Sequence, residues 1–287
     1  MRRKFTRPRK RHAKRKTRRL KGGNNASYTL VPISHFIERI NKEAPIDISG
    51  VPLNIYQTWN TRNIPPKMKD NIDKLVNMNP DFNYYLYSDE ECKEFIKDNF
   101  EQDVLDAFNR FKPGAYKADL WRYCILYKLG GIYLDIKFRT LIPLTSVISA
   151  NPEIFVLDIQ SSSDLCESKL SVYNGFIASP PGNTIFKDCI DSIVACSKEK
   201  CYKGTYLSIS GPCLLGEVLK KHKSEDILSS IQFKIVNIKT GVGFTPATIQ
   251  MNGNNIVDEY PEYRDEQATA NKTEHYGNSW KNRTVYN

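Results

Sequence analysis

Long apolar runs are missing from this 287-residue chain. A bilayer-spanning helix needs about 18 apolar residues in a row, and the candidate stretch CILY, Cys124 to Tyr127, stops at Lys128. The expectation is a chain with no transmembrane segment. Metal-ligand spacings are also missing. Seven cysteines form no CxxC, and the four histidines are scattered. Neither set has the spacing of a structural zinc site. Cys189, Cys196 and Cys201 cluster, but the first two lie on one expected helix and read as small core residues, which favours a reducing compartment. The N-terminus has no apolar core that would make a secretory signal, so the sequons at Asn25, Asn271 and Asn282 matter only if the chain enters a secretory lumen. The expected localisation is cytoplasmic.

Acid is absent from residues 1–21, which hold thirteen of the 42 Lys and Arg residues. Such a segment repels itself and buries no apolar surface, so a disordered basic tail is expected over residues 1–24, hinged at KGGNN. Its charge suits nucleic acid or another polyanion, an anionic membrane surface or an import receptor. A solubilising or packaging tail without a defined partner fits the same composition. The rest of the chain is slightly acidic, and the overall 40% hydrophobic and 11% aromatic content is that of a globular protein.

Hydrophobic periodicity gives the coarse organisation. Residues 25–50 read as a linker with an accessory helix at Ser34–Lys42. Leu53–Trp59 reads as a first strand, and Pro65-Pro66 opens a helix through Met78. NYYLYS is a second strand, after which Ser88 and Glu91 have capping-box spacing for the next helix. Helices are expected at Asp103–Phe111 and Ala115–Leu129, the latter closed by Gly130, with IYLDI following as a strand. EIFVLDI, NGFIAS and FKIVNI read as later strands, and Asn183–Ser197 and Gly211–Lys221 as later helices. This alternation predicts one α/β domain over residues 51–287, built on a mostly parallel sheet with ligand sites at the carboxyl ends of its strands.

The helix AYKADLWRYCILYKL is apolar on nearly every side, so it should be buried. Asp119 and Arg122 nevertheless share one face of it, where each is costly without a partner. Two readings stand: a structural ion pair, or a pair poised for a polar ligand. The following strand then brings Tyr133, Asp135 and Lys137 to one face at period two.

ADLWRYCILYKLGGIYLDI closely resembles the core motif of the sugar-binding-region glycosyltransferases that contain a DxD motif, glycosyltransferase family 32. PLNIYQTW is similar to the opening strand of that family, NPDFNYYLYSDEE to its second strand, NGFIASPPGN and SGPCLL to its acceptor-side segments, and HYGNSW to its closing motif. The resemblance spans about Pro52 to Trp280. It implies a GT-A-type, Rossmann-like catalytic domain that moves a hexose from a UDP-hexose or GDP-mannose donor, with retention, to a glycan, lipid or protein acceptor. A basic tail joined to such a domain also resembles the proteins of large DNA viruses, which adds the virion to the cytoplasm as an expected setting. The alternative is a catalytically degenerate protein that binds nucleotide sugar or is tethered to nucleic acid by its tail.

By the same resemblance, Trp59 stacks on the nucleotide base and Tyr133 packs against the nucleotide. Asp119 and Arg122 bind sugar hydroxyls and the leaving phosphate, and Asp135 is the first Asp of DxD. Asn278, Ser279 and Trp280 reach the diphosphate, with His275 close enough in sequence to join Asp135 as a metal ligand. Such a reaction joins a cationic sugar ring to a growing diphosphate anion, which requires fixed positive charge or a metal. Lys137 stands where the second Asp would ligate Mn²⁺ or Mg²⁺, and a lysine ammonium has no lone pair to give. It either takes over part of the ion's work, leaves the ion to Asp135 and C-terminal groups, or marks an inactive site. One ammonium against a divalent ion leads to an expectation of reduced metal dependence.

Overall fold

The computed structural model describes residues 19–21, 27–33, 36–37, 49–237, 246–270 and 274–287. β1 (Arg19–Lys21) pairs antiparallel with β2 (Ser27–Thr29), and two short strands follow, β3 (Val31–Pro32) and β4 (Phe36–Ile37). β5 (Asn54–Thr58) is the buried first strand, and β6 (Asn63–Ile64) pairs back onto β3. Helix α1 (Pro66–Met78) carries its proline in the first turn, where no helical N–H is lost. β7 (Asn83–Tyr87) leads to α2 (Asp89–Asn99), where Ser88 and Glu91 form both halves of the capping box. Helices α3 (Gln102–Arg110) and α4 (Gly114–Leu129) precede β8 (Gly131–Leu134) and β9 (Phe138–Thr140).

Beyond the single turn α5 (Thr145–Ile148) come β10 (Ile154–Leu157), α6 (Gln160–Leu165) and β11 (Val172–Ser179). Next are α7 (Thr184–Lys198), α8 (Pro212–His222), α9 (Glu225–Ser229) and β12 (Phe233–Asn237). β13 (Ala247–Met251), β14 (Asn254–Glu259), α10 (Tyr263–Ala270) and α11 (Tyr276–Lys281) complete the described chain. Among the described residues no helix is long and apolar enough to cross a membrane.

The main sheet has the strand order β4-β7-β5-β8-β11-β10-β12-β13-β14-β9. The α/β expectation holds, but the sheet is mixed rather than mostly parallel. Pairings β5/β7, β5/β8 and β10/β12 are parallel, and the others along this order are antiparallel. The cause is partly local: Asn252 and Gly253, with φ of 51° and 82°, form a two-residue link that folds β14 back on β13. Side chains alternate across the parallel centre. Ile55 and Ile132 enter one core with α1, while Tyr56 and Tyr133 enter the other with α4 and α7. Helices therefore cover both faces, and the carboxyl ends of β5 and β8 open at one edge of the two cores.

Two further expectations change. Within Ser34–Lys42, Phe36 and Ile37 pair as a strand with Tyr85 and Tyr84 instead of forming a helix, which covers the β7 edge. The rest of that segment, and the basic tail apart from Arg19–Lys21, lie outside the described residues. The cysteines are also more than core filler. Cys166 bonds to Cys213 and Cys196 to Cys201, leaving Cys92, Cys124 and Cys189 as buried thiols.

Candidate functional site

Helix α4 is buried as its apolar circumference requires, with Trp121, Tyr123, Cys124 and Ile125 fully covered. It ends at a glycine pair that the packing demands. Gly130 and Gly131 have φ of 64° and 102°. A Cβ at Gly130 would meet the Pro181 nitrogen at 2.6 Å, and one at Gly131 the Asn54 carbonyl oxygen at 2.9 Å. This tight reversal sends the chain from α4 into β8 between β5 and β11, so the middle of the helix and the end of the strand arrive at one place.

Asp119 is 8% exposed, and its carboxylate is nevertheless well satisfied. Oδ1 accepts from Asn174 Nδ2 at 2.9 Å, and Oδ2 accepts from Ser210 Oγ at 2.8 Å. Arg122 Nη2 lies 3.3 Å from Oδ1. Burial still dominates: it pushes the Asp119 carboxyl up to about 6, against the lowering effects of Arg122, Ser210 and Asn174. Arg122 donates from Nη1 to the Asn174 carbonyl and from Nε to Ala118 O, and it lies over the Tyr133 ring with its guanidinium carbon 4.3 Å from the centroid. The Tyr133 hydroxyl in turn donates to Asp135 Oδ1 at 3.0 Å.

Strand β8 stops at Leu134, so Asp135 and Lys137 are not on an extended strand as their spacing suggests. A turn follows in which Phe138 N–H donates to the Asp135 carbonyl. That turn curls Lys137 back until Nζ lies 3.1 Å from Asp135 Oδ2. Tyr173 donates to the same oxygen at 3.2 Å, and Arg122 Nη2 reaches Oδ1 at 3.6 Å. Burial raises the Asp135 carboxyl, but the Lys137 ammonium and the Arg122 guanidinium outweigh it and hold the group below its usual 3.8.

These groups face a cleft of about 1150 Å³. Trp59 lines it from the end of β5, and the uncapped start of α4 and Gly211-Pro212 at the start of α8 border it. Arg264 and Gln267 of α10 and the segment Glu274–Tyr276 close the far side. The cleft thus combines an indole, the buried Arg122 and the mostly covered Lys137 with the carboxylates of Asp119, Asp135 and Asp158, the last just after β10. That set can grip a polyhydroxylated ring on one side and an anion on the other.

The structure brings together Trp59, Asp119, Arg122, Tyr133, Asp135, Lys137 and His275 along this cleft, and it does not bring Asn278, Ser279 or Trp280 to it. Asn278 is exposed, Ser279 donates to Glu274 Oε2 at 2.8 Å, and Trp280 packs against Tyr202. The closing segment contributes residues a few positions earlier, because α11 begins at Tyr276 and turns the later side chains away. His275 caps that helix: Nδ1 accepts from Gly277 N–H at 3.1 Å, and the ring stacks on Tyr276 at 4.3 Å. Sequence reasoning missed Asn174, Ser210, Tyr173 and Asp158. Asn174 lay inside the recognised segment NGFIAS, and Asp158 ends a strand that the periodicity identifies.

Residues 65–155 match the family described as glycosyltransferase sugar-binding region containing DXD motif. Mannosyl phosphorylinositol ceramide synthase SUR1 of Saccharomyces cerevisiae is 30% identical over 192 residues, 65% of this chain and 46% of that protein. The initiation-specific alpha-1,6-mannosyltransferase of Candida albicans is 25% identical over 267 residues, 86% of this chain and 65% of that protein. The uncharacterized glycosyltransferase L373 of Acanthamoeba polyphaga mimivirus is 33% identical over 30% of this chain and 35% of its own length. The solved structure of the PaToxG glycosyltransferase aligns with a TM-score of 0.46 at 17% identity, covering 63% of this chain and 73% of that one. The chain thus spans about half the length of the curated relative SUR1.

Proposed function

We propose that this chain, whose residues 65–155 fall in the family of glycosyltransferase sugar-binding regions containing a DXD motif, transfers a hexose from a nucleotide sugar to a glycan or lipid acceptor with retention of anomeric configuration. Mannose from GDP-mannose is the first donor to test, because several relatives are named mannosyltransferases. The observation that carries the reading is the shared grip of Arg122 on Asp119 and Asp135 at the floor of the cleft. A buried ion pair made only for stability gains little over apolar packing, whereas one lining an open cleft beside an indole fits a donor site.

In this reading Trp59 stacks on the base, and the Asp119 carboxylate, fixed by Asn174 and Ser210, orients sugar hydroxyls. Arg122 and Lys137 face the diphosphate, whose negative charge grows as the anomeric C–O bond breaks. Because Arg122 is buried and Lys137 is mostly covered, little water has to reorganise around them as the leaving group departs. Tyr133 and Tyr173 hold Asp135 in place through its two oxygens. Calorimetry with GDP-mannose, UDP-glucose and UDP-galactose tests the assignment. At least one should bind the wild type and bind Trp59→Ala markedly less well. If none binds, this reading is wrong.

A further inference from the structure

The family named for its DXD motif implies a divalent cation held by the motif's second carboxylate, and here Lys137 stands at that position. The donor set around Asp135 does not fit such an ion. Its Oδ1 accepts from Tyr133 at 3.0 Å and faces Arg122 at 3.6 Å, while Oδ2 accepts from Tyr173 at 3.2 Å and pairs with Lys137 at 3.1 Å. A carboxylate offers about four lone-pair directions; three are taken by Tyr133, Tyr173 and Lys137, and the remaining side faces the Arg122 guanidinium. Among the described residues no group of three or more His, Cys, Asp or Glu side chains is placed to hold a metal. His275 gives Nδ1 to its own helix turn.

We infer that the Lys137 ammonium is this protein's built-in replacement for the metal, and that the nucleoside diphosphate of the donor binds without a divalent cation. The inference rests on the donor-site reading above and deepens it. Weighing one ammonium against one divalent ion makes the exchange look deficient by a charge. The comparison changes when the second carboxylate is included, because the metal and its ligand leave together. Two aspartates around a divalent cation sum to zero, and Asp135 with Lys137 also sums to zero. The net charge presented to the diphosphate, with Arg122 beside it, is therefore unchanged.

The surroundings fit a permanent cation. Lys137 is 14% exposed, its ammonium lies 5.5 Å from the Tyr173 ring centroid and 5.1 Å from that of Phe138, and the turn that carries it is pinned where Tyr260 N–H donates to its carbonyl. A metal on Asp135 Oδ2 would sit against this ammonium and be repelled by it. Gly175 leaves no spare space on the other side, since a Cβ there would meet the same oxygen at 2.5 Å.

The test uses GDP and UDP as probes, with calorimetry in EDTA and in excess Mn²⁺. Wild-type affinity for the preferred nucleotide should change by no more than about threefold between the two buffers. Lys137→Asp, which rebuilds the carboxylate pair, should lose about tenfold or more in EDTA and recover in Mn²⁺. Electron paramagnetic resonance of Mn²⁺ added to the wild type with nucleotide should show no protein-bound signal, a readout independent of whether the variant folds. Wild-type binding that requires Mn²⁺ overturns this inference and leaves the donor site standing. Failure of both nucleotides to bind in either buffer overturns the donor-site reading and this inference with it.

Discussion

Asp119 and Asp135 share one cation: Arg122 Nη2 lies 3.3 Å from Asp119 Oδ1 and 3.6 Å from Asp135 Oδ1. Removing the guanidinium leaves two carboxylates facing each other across a buried site. Arg122→Met should therefore destabilise the fold by about 3–5 kcal/mol, read from urea unfolding. Arg122→Lys keeps the charge but lacks the planar fork that spans both acids, so it should fold better than the Met variant and still lose most nucleotide affinity. Equal affinity for the Lys variant and the wild type would show that the bridge is not part of the donor site.

Asp119 gives stability an unusual pH dependence. Its carboxyl is raised from 3.8 to about 6 in the folded state, with burial as the main cause. The folded protein then holds this proton more tightly than the unfolded chain does, so the stabilisation is complete below pH 3.8 and is lost as pH rises through about 6. Asp119→Asn does not titrate. The wild type should lose on the order of 3 kcal/mol relative to it across this window, measured by urea unfolding at a series of pH values. Asp135, shifted downward, has the opposite sign, but it is present in both proteins and largely cancels in the difference. A pH-independent difference between the two proteins would contradict the assignment.

Gly175 sits beneath the Asp135 carboxylate, where an added Cβ would lie 2.5 Å from Oδ2 and 2.6 Å from the Tyr173 hydroxyl. Gly175→Ala should displace both groups. The expected stability loss is about 1–3 kcal/mol, with a much larger fall in donor turnover, about 100-fold, because a reacting geometry tolerates little displacement. Turnover that falls no more than stability explains would mean that Asp135 is not held to a catalytic position.

The Cys166–Cys213 bond ties the end of α6 to the first turn of α8, next to the cleft wall at Ile159, Ser162, Gly211 and Pro212. Closing a loop of 47 residues constrains the unfolded chain by about 4 kcal/mol in the chain-entropy account. Cys213→Ser should lower the unfolding free energy by an amount of that order. Peptide mapping under non-reducing conditions should recover the Cys166–Cys213 pair. Recovery of both residues as free thiols would remove this brace from the account.

Local signals carried most of the central fold. The capping box at Ser88, the prolines before α1, Gly130 after α4 and the apolar circumference of α4 each act within a few residues, and each element appears where they place it. The edge of the sheet was not legible in the same way. β13 and β14 have mixed patterns, and the Asn252-Gly253 link that pairs them antiparallel is a signal of only two residues. At the site, the charges on α4 and the end of β8 stood out because charge is costly in apolar surroundings. Asn174 and Ser210, which fix Asp119, open the segments NGFIAS and SGPCLL, but both are neutral and far from Asp119 in the chain, so the segments do not reveal that the two side chains meet on its carboxylate. The disulfide pairing likewise depends on which elements meet in space, which spacing alone does not encode.

The most direct test of the whole account is single-turnover release of nucleoside diphosphate from GDP-mannose and UDP-hexoses, comparing the wild type with Asp135→Asn in EDTA. The account predicts release from at least one donor by the wild type and a loss of about 100-fold or more in a variant that retains the wild-type circular dichroism spectrum. Release by Asp135→Asn at the wild-type rate, or no release from any donor by the wild type in either EDTA or Mn²⁺, would contradict it.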